Sequence, residues 1–217
     1  MNGKKICVIG LGYIGLPTSA MFATHGCKVH GVDVNKQVVD ALNQGKIVIE
    51  EPYLDIMVQA AVRSGHLKAD TKPQEADAFI IAVPTPKNED NTADMSCVVS
   101  SAEMIVPYLR KGNLVILEST SPAGTVENLL VPILEKSGLK IGEELFVGHS
   151  PERVLPGRIL WELVNNNRII GGINRESAEK IRDLYKIFVN GEIYLTTATT
   201  AEMCKLMENT YRDVNIA

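Results

Sequence analysis

The side chains best suited to proton and charge work stand near the chain's end. Lys205, Asn209 and Arg212 fall at i, i+4 and i+7, so a helix brings them to one face. There a lysine and an amide either hold a developing oxyanion and a water or form no more than a solvated surface. Glu152 and Arg153, in Ser150-Pro151-Glu152-Arg153, are either a catalytic carboxylate beside an anion clamp or a surface ion pair. Thr85, in Val83-Pro84-Thr85-Pro86, and Thr120, in Glu118-Ser119-Thr120, either offer hydroxyls to a cofactor or substrate or serve turns and caps. Cys204 adjoins Lys205, but successive helical residues point about 100° apart. It lies beside the mainly apolar stripe of Met203, Leu206, Met207, Thr210 and Val214 and reads as packing. Among the histidines, His149 alone lies near these residues, and none forms a triad or metal pattern.

A second kind of chemistry is written in glycine. Gly10-Leu11-Gly12-Tyr13-Ile14-Gly15 follows the apolar strand pattern Lys5–Ile9 and precedes a helical one from Leu16. In that setting Gly10 makes a tight turn, Gly12 admits a pyrophosphate to the backbone, and Gly15 lets helix pack on strand. The helix N-terminus then faces the phosphates with free N–H groups. Asp33 ends the next strand, 18 residues beyond Gly15, where a carboxylate holds ribose hydroxyls. Its charge repels a 2′-phosphate and favours NAD over NADP, with nearby Lys36 working slightly against this. The alternative role for Asp33 is to cap the helix that starts near Asn35.

These residues need a scaffold that collects them. Strand patterns at Lys5–Ile9, Lys28–Asp33, Leu67–Asp70, Asp77–Val83, Asn113–Glu118, Glu144–His149, Arg168–Gly172 and Ile193–Thr196 alternate with helical ones. That alternation predicts an α/β, Rossmann-like, doubly wound and mostly parallel sheet. Ligands bind such sheets at the carboxyl ends of the strands. The glycine loop and the segments at Thr85, Thr120 and Glu152 all follow strands and so belong on one edge. Asp94 is expected to cap a helix over Met95–Leu109, and Thr125–Lys136 to be another. The last helix is expected to open with a capping box, Thr199 to Glu202. It reaches Asn215-Ile216-Ala217 with no Gly, Pro or basic last turn, which reads as a helix cut within a longer one, the alternative being a frayed natural C-terminus.

Composition narrows the class. A hydrophobic content of 45% with 22% charged residues is that of a globular protein able to bury a core. A net charge of -4 without a basic cluster argues against nucleic acid as partner. No apolar run approaches a membrane span, and no signal-peptide pattern opens the chain. Cys7, Cys27, Cys97 and Cys204 lack metal-type spacing and read as reduced thiols of a cytoplasmic protein. No metal is expected.

Taken in order, Gly10–Pro17, Val83–Pro86, Glu118–Thr120, Ser150–Gly157 and Thr200–Ala217 resemble the UDP-glucose/GDP-mannose dehydrogenase family along the whole chain. The resemblance implies NAD-dependent oxidation of the C6 alcohol of a UDP-sugar to a carboxylate in two hydride transfers. Glu152–Gly157 and Asn166–Gly172 point to UDP-N-acetyl-D-mannosamine as that sugar, with UDP-N-acetylglucosamine or UDP-glucose as the alternatives. By the same resemblance Gly10, Gly12, Tyr13, Ile14, Gly15, Asp33, Thr85 and Thr120 would bind NAD. Lys205, Glu152 and Asn209 would serve catalysis, and Arg153, Val154, Asn209 and Arg212 would contact the UDP-sugar. It further implies an NAD-binding domain over 1–197 and the start of a central, dimerising helix over 198–217. The family's nucleophilic cysteine has no counterpart here, so a piece inactive alone and a homodimeric whole are expected. A non-catalytic nucleotide-sensing Rossmann module is the reading from a different class.

Overall fold

Apolar residues on both sides of the central strands require that helices cover both faces of the sheet. In β1 (Lys5–Ile9), Ile6 and Val8 enter one core, with Leu16, Phe22 and Tyr185. Cys7 and Ile9 enter another, with Phe79, Val98 and Leu130. The computed structural model describes residues 3–217. Between β1 and β2 (Lys28–Val32) runs α1 (Gly15–Thr24). Next come α2 (Lys36–Asn43), α3 (Leu54–Arg63), β3 (Leu67–Asp70), β4 (Ala78–Ile81), α4 (Ser96–Ile105) and β5 (Leu114–Leu117). The chain continues through α5 (Val131–Leu134), β6 (Phe146–His149), α6 (Ile159–Asn165), β7 (Arg168–Gly172), α7 (Arg175–Tyr185), β8 (Ile193–Thr197) and α8 (Ala198–Ile216).

The eight strands form one sheet in the order β3-β2-β1-β4-β5-β6-β7-β8. The first six are parallel and reproduce the doubly wound dinucleotide-binding order, with the reversal of winding between β1 and β4. β7 runs antiparallel to β6, with Gly148 opposite Gly172, and β8 is parallel to β7. The expected α/β class, the mostly parallel sheet and the single edge for the four loops all hold.

Local details depart from the sequence reading. The helix expected over Thr125–Lys136 opens with a wide i→i+5 stretch at Val126–Leu130 and closes with a tight turn at Glu135–Ser137 around α5. Thr199 and Glu202 do not form a capping box. α8 starts at Ala198, and the Thr197 hydroxyl accepts from the Thr200 amide at 3.2 Å. Glu202, fully buried, reaches across to accept from Gly124 and Val126 amides at 2.5 and 2.8 Å. A capping spacing shows only that a carboxylate is within reach of its own helix start; a neighbouring segment with unpaired amides competed for it and won. For α8 the sequence separates two faces, and the structure shows which of them turns inward. Met203, Met207 and Val214 face outward, 46, 65 and 71% exposed, while Lys205, Asn209 and Arg212 are half-buried against the body.

Candidate functional site

The glycine loop leaves β1 with Gly10 at φ +92° and returns to the sheet where Gly15 starts α1. A Cβ on Gly10 would meet the Ala82 carbonyl oxygen at 2.5 Å, and one on Gly15 would meet the Gly10 carbonyl oxygen at 1.8 Å. Both glycines are therefore required by the fold. At Gly12 a Cβ would meet nothing within 4 Å. Its bare backbone faces open space, as a pyrophosphate seat requires. Ile14 gives α1 no side-chain cap, and the first turn holds no acidic residue, so the positive end of the helix is open to an anion although the Leu16 amide already donates to the Gly12 carbonyl at 3.1 Å.

That open space is a cavity of about 680 Å³, lined by Gly10, Gly12, Tyr13, Ile14, Asp33 and the α4 residues Cys97 and Ser100 among others. Asp33 accepts from the Leu11 amide at 3.0 Å and the Asn35 amide at 2.9 Å, so it braces the loop from beneath. Asn35, rather than Asp33, caps α2 by accepting from the Gln37 amide at 2.9 Å. In size, apolar lining and backbone donors the cavity fits a dinucleotide.

Thr85 and Thr120 lie further along the same edge, outside the lining of that cavity. The Thr85 hydroxyl donates to the Thr120 carbonyl at 2.7 Å and ties the loops after β4 and β5 together.

Beyond β5 the materials change from backbone to charge. Glu152 and Arg153 do not pair with each other through their side chains. Glu152 is buried, accepts from the Arg153 amide at 2.8 Å through Oε1, and takes Arg168 Nη2 at 2.5 Å through Oε2. Arg153 pairs with Glu208 on α8, and Glu208 with Arg212 at 3.3 Å. Val154 is half-buried, and Leu155 donates its amide to Glu162 at 2.8 Å. Glu51, buried, accepts from Gly157 and Ile159 amides, each at 2.7 Å. The loop 152–158 is thus held by carboxylates from three other segments, Glu51, Glu162 and Glu208.

Deeper still, Glu118 is fully buried at the end of β5. Its Oε1 takes the Tyr185 hydroxyl at 2.5 Å and stands 3.8 Å from Arg168 Nη1. Its Oε2 takes the Thr18 hydroxyl at 3.4 Å. Burial pushes its carboxyl up to about 7; Arg168 opposes this and neighbouring Glu152 adds to it. Arg168 stacks on the Tyr185 ring at 4.5 Å and donates to Ser150 Oγ at 3.1 Å. Burial works against its charge, but Glu152, Tyr185 and Glu118 outweigh that and keep it protonated. Two carboxylates thus share one buried guanidinium.

On the facing side of α8, Lys205 makes no ion pair among the described residues. Burial lowers its ammonium below the usual lysine range, and Glu208 only partly restores it. A half-buried lysine whose ammonium is so disfavoured gives up its proton more readily than a free one, which suits it to proton transfer. His149 ends β6 nearby, fully buried, with neither ring nitrogen hydrogen-bonded to the protein. Desolvation pulls it down to about 3, and the Lys205 charge assists.

The sequence reading missed Arg168, Tyr185 and Glu51, assigned Glu202 to a cap it does not form, and saw Glu118 only as part of a motif. Arg168 stood in a strand pattern and Tyr185 in an amphipathic helix. A charged residue opening an otherwise apolar strand was the one available signal. The cysteines add nothing to this half: Cys7 and Cys27 are buried with thiols pushed up, Cys7 to about 12, while Cys97 lines the other cavity.

Residues 4–189 match the model of the UDP-glucose/GDP-mannose dehydrogenase family, NAD binding domain. The chain is 53% identical over 218 residues to a UDP-N-acetyl-D-mannosamine dehydrogenase of Methanococcus maripaludis, covering 99% of this chain and 49% of that one. An NDP-N-acetyl-D-galactosaminuronic acid dehydrogenase of Ralstonia solanacearum is 50% identical, with 99 and 52% covered. The solved UDP-N-acetyl-mannosamine dehydrogenase of Staphylococcus aureus superposes with a TM-score of 0.94 at 53% identity, over 98% of this chain and 52% of that one. The chain spans about half the length of the curated relatives it matches.

Proposed function

The chain belongs to the UDP-glucose/GDP-mannose dehydrogenase family and carries its NAD-binding domain, and from that premise we propose that it serves an NAD-dependent UDP-N-acetyl-D-mannosamine 6-dehydrogenase. The relatives' substrates motivate the choice of sugar. The observation that carries the reading is the orientation of α8. A helix that turns Lys205, Asn209 and Arg212 towards the body, half-buried, and exposes Met203 and Met207 is oriented to bring its polar face to a site.

On this reading the domain runs over 1–197 and α8 begins a central helical segment. NAD, when bound, accepts hydride from the C6 carbon. Gly12 and the α1 N-terminus seat its pyrophosphate, and Tyr13, Ile14 and Asp33 line its cavity. Thr85 and Thr120 shape the edge beside it. Lys205 takes the alcohol proton at Nζ and, recharged, steadies an oxyanion with the Asn209 amide. Glu152 orients water or moves a proton, and Arg153, Val154 and Arg212 contact the UDP-sugar. The nucleophilic cysteine lies outside residues 1–217, and the complete enzyme works as a homodimer.

Calorimetry tests the cofactor on this chain: NAD binds, and Asp33→Ala weakens it. Absence of any NAD binding overturns the assignment. A panel of UDP-sugars assayed with the complete enzyme tests the substrate. Faster turnover of UDP-N-acetylglucosamine, UDP-glucose or a galactose-configured sugar than of UDP-N-acetyl-D-mannosamine would replace the sugar named here.

A further inference from the structure

β1 to β6 deliver their last residues to the ligand edge. β7 runs against β6, so it delivers its first. That residue is Arg168, with a side chain only 5% exposed. We infer that Arg168 is a positioning residue for the reaction, holding Glu152 in its working orientation; the inference rests on the role proposed above for Glu152.

The geometry supports a positioning role over a purely cohesive one. Both Glu152 oxygens are engaged, Oε1 by its neighbour's amide at 2.8 Å and Oε2 by Arg168 at 2.5 Å, so the carboxylate has a single orientation. Arg168 is itself fixed on three sides: by Ser150 Oγ at 3.1 Å, by Glu118 at 3.8 Å and by the Tyr185 ring at 4.5 Å. Ser150 and Glu152 flank Pro151, so one guanidinium grips both sides of that turn. Asn166, two residues before Arg168, donates to the Arg153 carbonyl at 3.2 Å and steadies the same turn. For stability alone such a cluster is a poor device. A buried ion pair recovers little beyond its desolvation cost, and apolar side chains of the same volume do as well. A fork that holds one carboxylate at a strand end, anchored to a second carboxylate behind it, is suited to pre-organisation.

The test uses the complete enzyme with R168M, R168K, E152Q and the double variant R168M/E152Q, followed by NADH formation and by NAD binding. The cofactor cavity includes neither residue, so NAD binding reports folding. R168M is expected to lose about 100-fold in kcat, the scale of a 1 Å misplacement, with NAD affinity within about twofold of wild type. R168K, which keeps the charge without the fork, recovers about tenfold of that. The decisive outcome is coupling: R168M/E152Q should be no slower than E152Q alone, because Arg168 acts through Glu152. Losses that multiply, or an unchanged kcat in R168M beside an impaired E152Q, overturn the inference and leave the role of Glu152 standing. An unimpaired E152Q overturns both. If R168M does not bind NAD and so has not folded, R168K and R168K/E152Q carry the same comparison.

Discussion

Between β1 and β4 the crevice is made of backbone; past β5 it is made of charge. At the first place the working surface is Gly12, with nothing within 4 Å of where a side chain would begin, beside an uncapped helix start. At the second, Glu118, Glu152 and Arg168 are packed together at 0, 6 and 5% side-chain exposure. The difference suits the two tasks proposed for these regions. A phosphate is held by N–H groups and a helix dipole, which need no side chain and little sequence. Proton and oxyanion work needs titratable groups held still, and these must be buried, paired and supported from several elements. The first region can therefore be broken by adding a methyl group, and the second by changing a charge.

The largest effect is expected where backbone meets backbone. Gly15→Ala places a Cβ 1.8 Å from the Gly10 carbonyl oxygen, and α1 cannot move away without leaving Leu16 and Phe22 unpacked. A loss of about 3 kcal/mol follows, at the upper end of overpacking costs. Urea denaturation with and without NAD measures it. Wild-type stability in Gly15→Ala would show that the loop is not the rigid element described here.

The two regions were also unequally legible in the sequence. The glycine loop could be read because Gly10 and Gly15 answer local steric demands and Gly12 leaves its backbone bare, and the mostly parallel sheet followed from alternation. Thr85, Thr120 and Glu152 were placed on the right edge because each follows a parallel strand. Arg168 was not read, because its partners lie 16 and 50 positions away and depend on one reversed strand that periodicity does not reveal. Glu202 was misread for a related reason: its local spacing matched a cap, while its amide partners lie 78 and 76 positions away. The α8 stripe was seen, but an amphipathic pattern says only that two faces differ. Which face turns inward was decided by Glu208 and Arg153, which tie the polar side to the body.

The next effect belongs to the charged region and appears with pH. His149, held neutral at about 3, loses stability for the fold as pH falls from 6.5 towards 3, because the unfolded chain takes up a proton the folded one refuses. Glu118 acts in the opposite sense: its stabilising contribution is full below 4.5 and is lost as pH rises through about 7. The two partly cancel in the wild type, so the variant isolates the histidine. His149→Leu should match wild type at pH 7.5 and exceed it by about 2 kcal/mol at pH 5, since one proton contributes about 1.4 kcal/mol per pH unit. Thermal melts at the two pH values decide it. Parallel shifts of both proteins would mean that the imidazole titrates freely.

The smallest change completes the contrast within one loop. Gly12→Ala adds the same methyl group as Gly15→Ala but directs it into open cavity. The fold should not register it: the melting temperature stays within about a degree, as for an exposed substitution with no clash. The cofactor should, because the methyl occupies the space through which a pyrophosphate reaches the backbone N–H groups. About a tenfold rise in NAD Kd is expected, equal to 1.4 kcal/mol, with no change in the affinity for adenosine, which carries no pyrophosphate. Equal weakening of NAD and adenosine would move the pyrophosphate seat away from Gly12. A stability loss matching that of Gly15→Ala would abolish the division between glycines that build the loop and the one that leaves it open.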